Sequence, residues 1–207
     1  MKKSSQRSKH FIVIAGNMGS GKTTLAETLT KILPNYTFIS IDECRWRFMH
    51  ATPISREQKA QETFSNLIQQ HDRIILETTG SGKAWKYAKW AMQTHDRFIV
   101  RISCPISVCR QRVKQRRKVT PLPCKFDLTT SLNLMEEELG TIKPNVKVSH
   151  DMAIHEQLHF LIQNGILEYE LSARLQANPS QCPPAESHAY RRTDRGGYLG
   201  KRYGQDD

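Results

Sequence analysis

The sequence predicts an α/β fold: a doubly wound, mostly parallel five-stranded sheet flanked by helices. Short apolar runs alternate along the chain with longer segments of helical period, as strands and crossover helices do in βαβ units. The first run, FIVIA at residues 11–15, is apolar at every position, which is typical of a strand covered on both faces. A glycine-rich turn follows it and leads into a helical segment. In such a sheet, ligands are expected at the carboxyl ends of the strands.

The remaining strands and helices are predicted, in chain order, from the same alternation of apolar runs with segments of helical period. Further strands are expected at 36–41, 73–77, 97–103 and 146–149. Helices are expected at 22–33, 55–70, 83–93, 105–117 and 131–139, and over 152–176 with a break near Asn164-Gly165. Pro34 ends the first helix. Ser55 and Gln58 have capping-box spacing at the second, and Pro105 lies where a later helix begins.

Length and composition predict one domain with extensions at both ends. The 207 residues suit a domain at 11–175 with a short lid at about 118–128, preceded by a basic tail at 1–10. Residues 176–207 are rich in Pro, Gly and Arg and contain a single leucine, so this tail is expected to be disordered. No apolar run approaches the roughly 20 residues that span a bilayer, so a cytoplasmic location is the default expectation. The sequence leaves the oligomeric state open, with a monomer as the default. The five cysteines include no Cys-x-x-Cys pair, which favours reduced thiols.

The charge of the chain is strongly positive. The formal net charge is +11, and residues 101–118 contain seven lysines or arginines and no acid. Such a patch attracts nucleic acid, a triphosphate or an acidic substrate. The basic tails and the basic lid therefore leave a nucleic-acid partner open beside a small one.

The most specific motif is GNMGSGKTT, which matches G-x-x-x-x-G-K-[ST] at every fixed position. The glycines let successive N–H groups point at one anion, and the dipole of the following helix stabilises it. Lys22 is expected to reach the β- and γ-phosphates of ATP, and Thr23 to place its hydroxyl on Mg²⁺. The expected nucleotide-binding residues are Gly16, Asn17, Met18, Gly19, Ser20, Gly21, Lys22, Thr23 and Thr24.

Two acidic residues at predicted strand ends indicate that the chain transfers a phosphoryl group rather than only binding a nucleotide. Asp42 follows the second strand, where a carboxylate can take the proton of an acceptor hydroxyl, although a helix N-cap explains it equally well. Arg45, one helical turn on, is a candidate for holding the acceptor. Glu77 ends the strand IILE, in a place suited to orienting Mg²⁺ through water or contacting substrate.

Two arginines after the fourth strand are candidates for stabilising the transferred phosphoryl group. Arg112 and Arg116 are four residues apart, hence on one face of the predicted helix. An arginine aimed at the γ-phosphate is worth about 10³–10⁵ in rate. A solvated basic helix is the alternative explanation.

Two other stretches imitate functional motifs. TTGSGK at 78–83 lacks the first glycine of a phosphate loop, since Glu77 stands there, and is expected only to turn sharply or to contact substrate. HEQLH at 155–159 matches the zinc motif H-E-x-x-H but has no third ligand at family-like distance. It falls on the predicted last helix, with Ile154, Leu158 and Leu161 facing inward.

With these residues, the chain resembles the small P-loop kinases, especially zeta toxins, chloramphenicol phosphotransferases and phage-type polynucleotide kinases. The resemblance spans 11–160 and rests on GNMGSGKTT, on ID-x-x-R at 41–45, on LETT at 76–79 and on VCRQRVKQRR. It implies that Asp42 is the base or an acceptor ligand, and that Arg112 and Arg116 match the arginines of a lid helix. No Asn-Lys-x-Asp string occurs, which favours ATP over GTP.

The sequence therefore predicts an ATP- and Mg²⁺-dependent kinase with a small-molecule hydroxyl as acceptor. A polynucleotide 5′-hydroxyl is the second hypothesis, and a regulator that binds ATP without transferring phosphate is the third. A zinc hydrolase built on HEQLH is the fourth.

Overall fold

The computed structural model describes residues 9–93, 95–116 and 127–169, and these form one parallel sheet with helices on both faces. The strands of the sheet are β1 (His10–Gly16), β2 (Thr37–Ser40), β3 (Arg73–Thr78), β4 (Asp96–Ser103) and β5 (Val146–Ser149). Their order is β2-β3-β1-β4-β5, and every neighbouring pair is parallel. The predicted fold class is confirmed, with a sheet that is parallel throughout the described residues rather than mostly.

Seven helices connect or follow these strands in the described part of the chain. They are α1 (Lys22–Ile32), α2 (Ile41–Trp46), α3 (Pro53–Gln70), α4 (Gly82–Ala91), α5 (Ile106–Gln115), α6 (Leu128–Gly140) and α7 (Ile154–Gln163). The predicted break near Asn164-Gly165 is confirmed, because Asn164 is the C-cap of α7, Gly165 has a φ of 91°, and helical residues resume at 166. None of the helices in the described ranges is long and apolar enough to cross a membrane.

The central strand β1 explains why FIVIA is apolar at every position. Phe11, Val13 and Ala15 pack into a core with residues of α3 and α4, while Ile12 and Ile14 pack into a second core with residues of α1 and α7. Successive side chains of a strand point to opposite faces, so a strand covered on both sides needs apolar residues at all positions. The sheet is therefore covered by a hydrophobic core on each face.

The boundary after the second strand differs from the prediction of a strand through residue 41. β2 ends at Ser40, whose hydroxyl accepts a hydrogen bond from the backbone N–H of Asp42, 3.3 Å away, and α2 begins at Ile41. A serine in extended conformation that accepts from the N2 amide is a helix N-cap. The alternative that Asp42 itself caps the helix is therefore wrong, and its side chain is left for other contacts.

Two other helices begin at residues other than the predicted ones, because a side chain that the sequence analysis did not choose caps each of them. The hydroxyl of Thr52 accepts from the N–H of Ser55, and Pro53 is the first residue of α3, so the predicted capping box of Ser55 with Gln58 is wrong. Asp127 accepts from the amides of two following residues and starts α6 three residues earlier than predicted. Apolar periodicity places a helix well but does not locate its cap.

The predicted terminal tails and the predicted lid lie mostly outside the described residues. Residues 1–8 of the basic N-terminal tail and the tail at 176–207 lie outside them, as does the lid at 118–128 apart from its last two residues. His10, placed in the N-terminal tail by the sequence, is the first residue of β1.

Candidate active site

The loop between β1 and α1 has the backbone that its glycines predict. Gly19 and Gly21 have φ values of 82° and 99°, a left-handed conformation that L side chains rarely adopt. A Cβ on Gly19 would also stand 2.8 Å from the carbonyl oxygen of Cys109 in α5. The loop is therefore pressed against α5, and Gly21 is the N-cap from which α1 starts. A helix N-terminus preceded by such a loop is suited to binding phosphate.

A second contact fixes the loop from the side of α6. The amide nitrogen of buried Asn17 donates to the carbonyl oxygen of Leu132 at 2.8 Å, and its amide oxygen accepts from the N–H of Met18 at 2.9 Å. Arg101 on β4 forms an ion pair with Glu136, which lies on α6 near the same asparagine. Asn17 thus acts on the loop through α6, a role that the sequence motif does not reveal.

Three side chains meet at the start of α1. The Nζ atom of Lys22 lies 3.3 Å from Oε1 of Glu77, and the hydroxyl of Thr23 donates to the same oxygen at 2.8 Å. Lys22 and Glu77 are only 6% and 5% exposed, so the charge of each is balanced chiefly by the other. Thr24, the last residue of the motif, is exposed. The strand end at Glu77 is brought to the phosphate loop by the pairing of β3 with β1.

This group fits a magnesium ion. Mg²⁺ prefers hard oxygen ligands and keeps several of its waters, and here a hydroxyl and a buried carboxylate converge beside the lysine of the loop. Thr23 would hold the ion directly, and Glu77 would hold it directly or through water.

A cavity of about 290 Å³ opens from this group at the carboxyl ends of β2 and β3. Its lining contains the phosphate-loop lysine Lys22 together with Asp42, Arg45 and Glu77, the three substrate-binding residues expected from the sequence. Further lining residues come from β3, from the turn after it and from the three helices α3, α4 and α6: Gln61, Phe64, Thr78, Thr79, Ser81, Lys83, Trp85 and Met135. The expectation that ligands bind at the strand ends is consistent with this position.

Asp42 and Arg45 are held together by a third residue that the sequence did not single out. Nη1 of Arg45 donates to Oδ1 of Asp42 at 2.8 Å, while Nε and Nη2 donate to the two carboxylate oxygens of Glu57 on α3 at 2.8 and 3.0 Å. Gln61 donates to the same carboxylate at 2.7 Å. We call Asp42, Arg45, Glu57 and Gln61 the α2–α3 brace.

The ionised side chains of the α2–α3 brace stabilise one another. Burial alone lowers the pKa of Arg45, but the hydrogen bonds and charges of Glu57 and Asp42 outweigh it, so the pKa is raised. The hydrogen bond from Arg45 is the largest cause of the lowered pKa of Glu57. Arg45 is thus occupied by two carboxylates, while the Asp42 side chain stays 54% exposed and accessible to an acceptor. Glu57 was missed because a glutamate on a polar helix face carries no sequence signal for a distant partner.

Arg112 and Arg116, the two arginines expected to stabilise the transferred phosphoryl group, do not lie on the same helix. Arg112 is half-buried in α5, and its Nη1 donates to the carbonyl oxygen of Gly19 at 3.3 Å. Arg116 follows the last residue of α5, has an extended backbone and is exposed. The prediction that both lie on one helical face is therefore wrong, because α5 ends at Gln115. Arg112 therefore contacts the phosphate loop directly.

TTGSGK and HEQLH, the two stretches that resemble functional motifs, have structural roles. Gly80 and Gly82 have positive φ values of 74° and 77°, so TTGSGK turns sharply as predicted and helps to line the cavity. In HEQLH, His155 and His159 are exposed, and the carboxylate of Glu156 accepts from the N–H of Ala153 at 2.7 Å, which caps α7. No group of three metal-ligating side chains occurs within the described ranges.

The inward face of α7 is the one that the sequence predicted. Leu161 is fully buried in the core on the α1 side of the sheet, and Ile154 and Leu158 pack against that core.

Comparisons with known proteins agree with this fold. A family model described as an AAA domain matches residues 11–130, and no curated protein sequence matches the chain. Shikimate kinase from Acinetobacter baumannii, solved with shikimate, aligns with a TM-score of 0.55 at 17% identity, covering 80% of this chain and 97% of that one.

Two further solved structures share the fold. Gluconokinase from Sinorhizobium meliloti 1021 aligns with a TM-score of 0.50 at 16% identity, over 85% of this chain and 100% of that one. A chain of the Pnkp1/Rnl/Hen1 RNA repair complex aligns with a TM-score of 0.52 at 14% identity, over 69% and 49%. The matched model covers more than half of the chain, and its neighbours in structure are small P-loop kinases. The chain therefore belongs to the AAA-domain family of P-loop proteins, and its fold is that of the small P-loop kinases.

Proposed function

We propose that this protein is an ATP- and Mg²⁺-dependent kinase that transfers the γ-phosphoryl group of ATP to a hydroxyl of a small molecule. The observation that carries the proposal is the shared cavity, which contains the phosphate-loop lysine Lys22, the exposed carboxylate of Asp42 and the strand-end carboxylate of Glu77. Its volume of about 290 Å³ suits a small acceptor. The names of solved neighbours, a gluconokinase and a shikimate kinase, support an acceptor of this size.

Each residue has a role that follows from its position. The amides of the phosphate loop and Lys22 bind the β- and γ-phosphates, and Mg²⁺, when bound, neutralises charge on those oxygens. Asp42 accepts the proton of the acceptor hydroxyl while that oxygen bonds to the γ-phosphorus. The bond from the γ-phosphorus to the bridging oxygen of ADP breaks in the same step. Arg112, beside Gly19, stabilises the charge on the transferring group; Arg116 is proposed to assist it.

The first prediction separates nucleotide binding from transfer. Lys22→Ala is expected to abolish ATP binding, because it removes the ammonium group that faces the phosphates. Asp42→Asn is expected to keep ATP affinity and to lose about 10²–10⁴-fold in transfer, the usual contribution of a general base. Isothermal titration with ATP and a phosphate-transfer assay over a metabolite panel measure the two effects. Lys31→Ala, an exposed lysine at the far end of α1, is the matched control. An Asp42→Asn enzyme with full transfer rate would remove the base assignment.

A polynucleotide 5′-hydroxyl is a second candidate acceptor. The described part of α5 and its end contains Arg110, Arg112, Lys114 and Arg116 without an acid, and the net charge is +11. Transfer to an oligonucleotide should fall steeply with ionic strength, whereas transfer to a neutral small molecule should not. Tight ATP binding without transfer to either class would instead support a regulator that uses ATP as a conformational signal.

A further inference from the structure

The solvent face of α4 carries a row of residues to which the proposed phosphotransfer mechanism assigns no role. Lys83, Lys86, Tyr87 and Trp90 have the spacing i, i+3, i+4 and i+7, so they lie on one face of the helix. The opposite face, with Ala84, Trp85 and Ala88, is buried in the core. We call Lys83, Lys86, Tyr87 and Trp90 the α4 stripe. It extends for about 10 Å along the helix.

Of the two aromatic rings in the α4 stripe, Trp90 is open to solvent and Tyr87 is half-buried against the core. Trp90 is 64% exposed, and its ring lies 5.6 Å from that of Tyr87, centroid to centroid. The amide of Gln69 donates to the Tyr87 hydroxyl at 3.1 Å and holds this ring in place. Both rings line a surface pocket of about 250 Å³. A large indole left outside the core beside a fixed second ring is a platform on which a planar group can stack.

The charge around the α4 stripe is mainly positive, although Glu57 on α3 lies close enough to Lys83 for their charges to interact. α4 contains three lysines and no acid, and a neighbouring pocket of about 330 Å³ is lined by Lys89, Arg97 and Lys143. On the other side of the reaction cavity, Glu137 and Glu138 of α6 line a separate surface pocket. A polyanion that approaches the cavity is therefore attracted along α4 and repelled from α6.

We propose that the α4 stripe binds single-stranded nucleic acid, with phosphates against Lys83 and Lys86 and a base stacked on Trp90. The combination of cations with exposed aromatic rings matches the way single strands are bound without sequence readout. A membrane surface fits less well, because the apolar face of α4 is buried in the core and cannot insert into lipid. Lys83 also lines the reaction cavity, so a strand on the stripe leads towards Asp42 and Lys22. Binding to the stripe does not depend on phosphotransfer, so the inference goes beyond the proposed function.

The test measures binding of a short, labelled, single-stranded oligonucleotide of mixed sequence to the full-length protein without ATP. Lys86→Gln/Trp90→Ala is expected to weaken binding by about tenfold or more, because one phosphate contact and one stacking contact are lost. The slope of log affinity against log salt is expected to become shallower by about 0.7. Trp90→Phe in place of Trp90→Ala should restore most of the affinity, since Phe keeps a ring for stacking.

The control removes one exposed lysine and one exposed apolar side chain from the other face of the sheet. Lys31 and Ile32 are both exposed at the end of α1, and Lys31→Gln/Ile32→Ala is expected to bind as the wild type does. The basic tails and lid are identical in all variants, so their contribution cancels. The proposal fails if the α4 variant binds as tightly as the wild type, or if the control variant weakens binding as much.

Two further arms separate this inference from its rivals. Sedimentation with vesicles of phosphatidylserine and phosphatidylcholine should not depend on Lys86 and Trp90, and stripe-dependent sedimentation would overturn the proposal in favour of a membrane surface. Lys22→Ala, inactive in transfer by the first prediction, should bind the oligonucleotide normally. Loss of oligonucleotide binding in Lys22→Ala would place the nucleic acid at the phosphate loop and overturn the stripe. The result is independent of whether the kinase assay finds an acceptor.

Discussion

At the scale of single residues, Gly19 shows how closely the phosphate loop is constrained. Its φ of 82° already disfavours any side chain, and the carbonyl oxygen of Cys109 leaves no room for a Cβ. Gly21 has an equally positive φ of 99° but faces open space, so only its backbone requires glycine. The pattern G-x-x-x-x-G-K does not mark position 19 as fixed, and the packing of α5 makes it so.

Gly19→Ala is therefore expected to destabilise the fold by about 1–3 kcal/mol, through backbone strain and displacement of α5. Urea unfolding measures the change. Gly140→Ala is the matched control, because Gly140 has no close neighbour around an added Cβ and lies at the end of α6. This second alanine should be neutral or slightly stabilising. Equal stability of the Gly19 variant and the wild type would show that the loop is not held against α5.

At the scale of secondary-structure elements, the α2–α3 brace holds the short helix α2 in place. α2 has only six residues, too few to be stable alone, and it carries Asp42 towards the cavity. Arg45 joins it to Glu57, which lies twelve residues along the chain on α3. The position of the proposed base thus depends on a residue that does not itself line the cavity.

Glu57→Gln is expected to destabilise the protein by about 1 kcal/mol at neutral pH, because the charge-assisted hydrogen bonds to Arg45 are weakened. The folded state lowers the pKa of Glu57 below its ordinary value of 4.5. The stabilisation is therefore present above about pH 4.5 and is lost as the pH falls through the lower pKa of the folded state. Urea unfolding at several pH values measures the difference between wild type and variant. Glu62→Gln, at an exposed position of the same helix, should show no such pH-dependent difference.

At the scale of the whole molecule, the strand order decides which residues meet. Placing β1 between β3 and β4 brings Glu77 beside the phosphate loop, and placing β2 at the sheet edge brings Asp42 to the same cavity. α5 follows β4 and closes the loop from the other side through Arg112. Residues from four separate stretches of sequence therefore share one end of the sheet.

Because nucleotide would bind where these elements converge, it should stabilise the whole domain. A non-hydrolysable ATP analogue with Mg²⁺, at about a hundred times its Kd, is expected to add about 2.7 kcal/mol. This corresponds to a rise in Tm of roughly 5–10 °C for a chain of this size. Lys22→Ala should lose the rise, Lys31→Ala should keep it, and removing Mg²⁺ with EDTA should reduce it. An undiminished rise in Lys22→Ala would contradict the assigned phosphate site.

The sequence by itself determined the α/β class, the number of strands and the phosphate loop, because local periodicity and glycine spacing encode them directly. It also indicated Asp42, Glu77 and Arg112 as candidates, since each follows or ends a recognisable strand. Only the tertiary structure decided that Arg45 is held by Glu57 and that Arg116 lies beyond its helix. It also decided that Lys83, Lys86 and Trp90 are exposed beside a half-buried Tyr87. Those facts depend on which helix packs against which, and side chains that meet across elements leave no periodic signal in the chain.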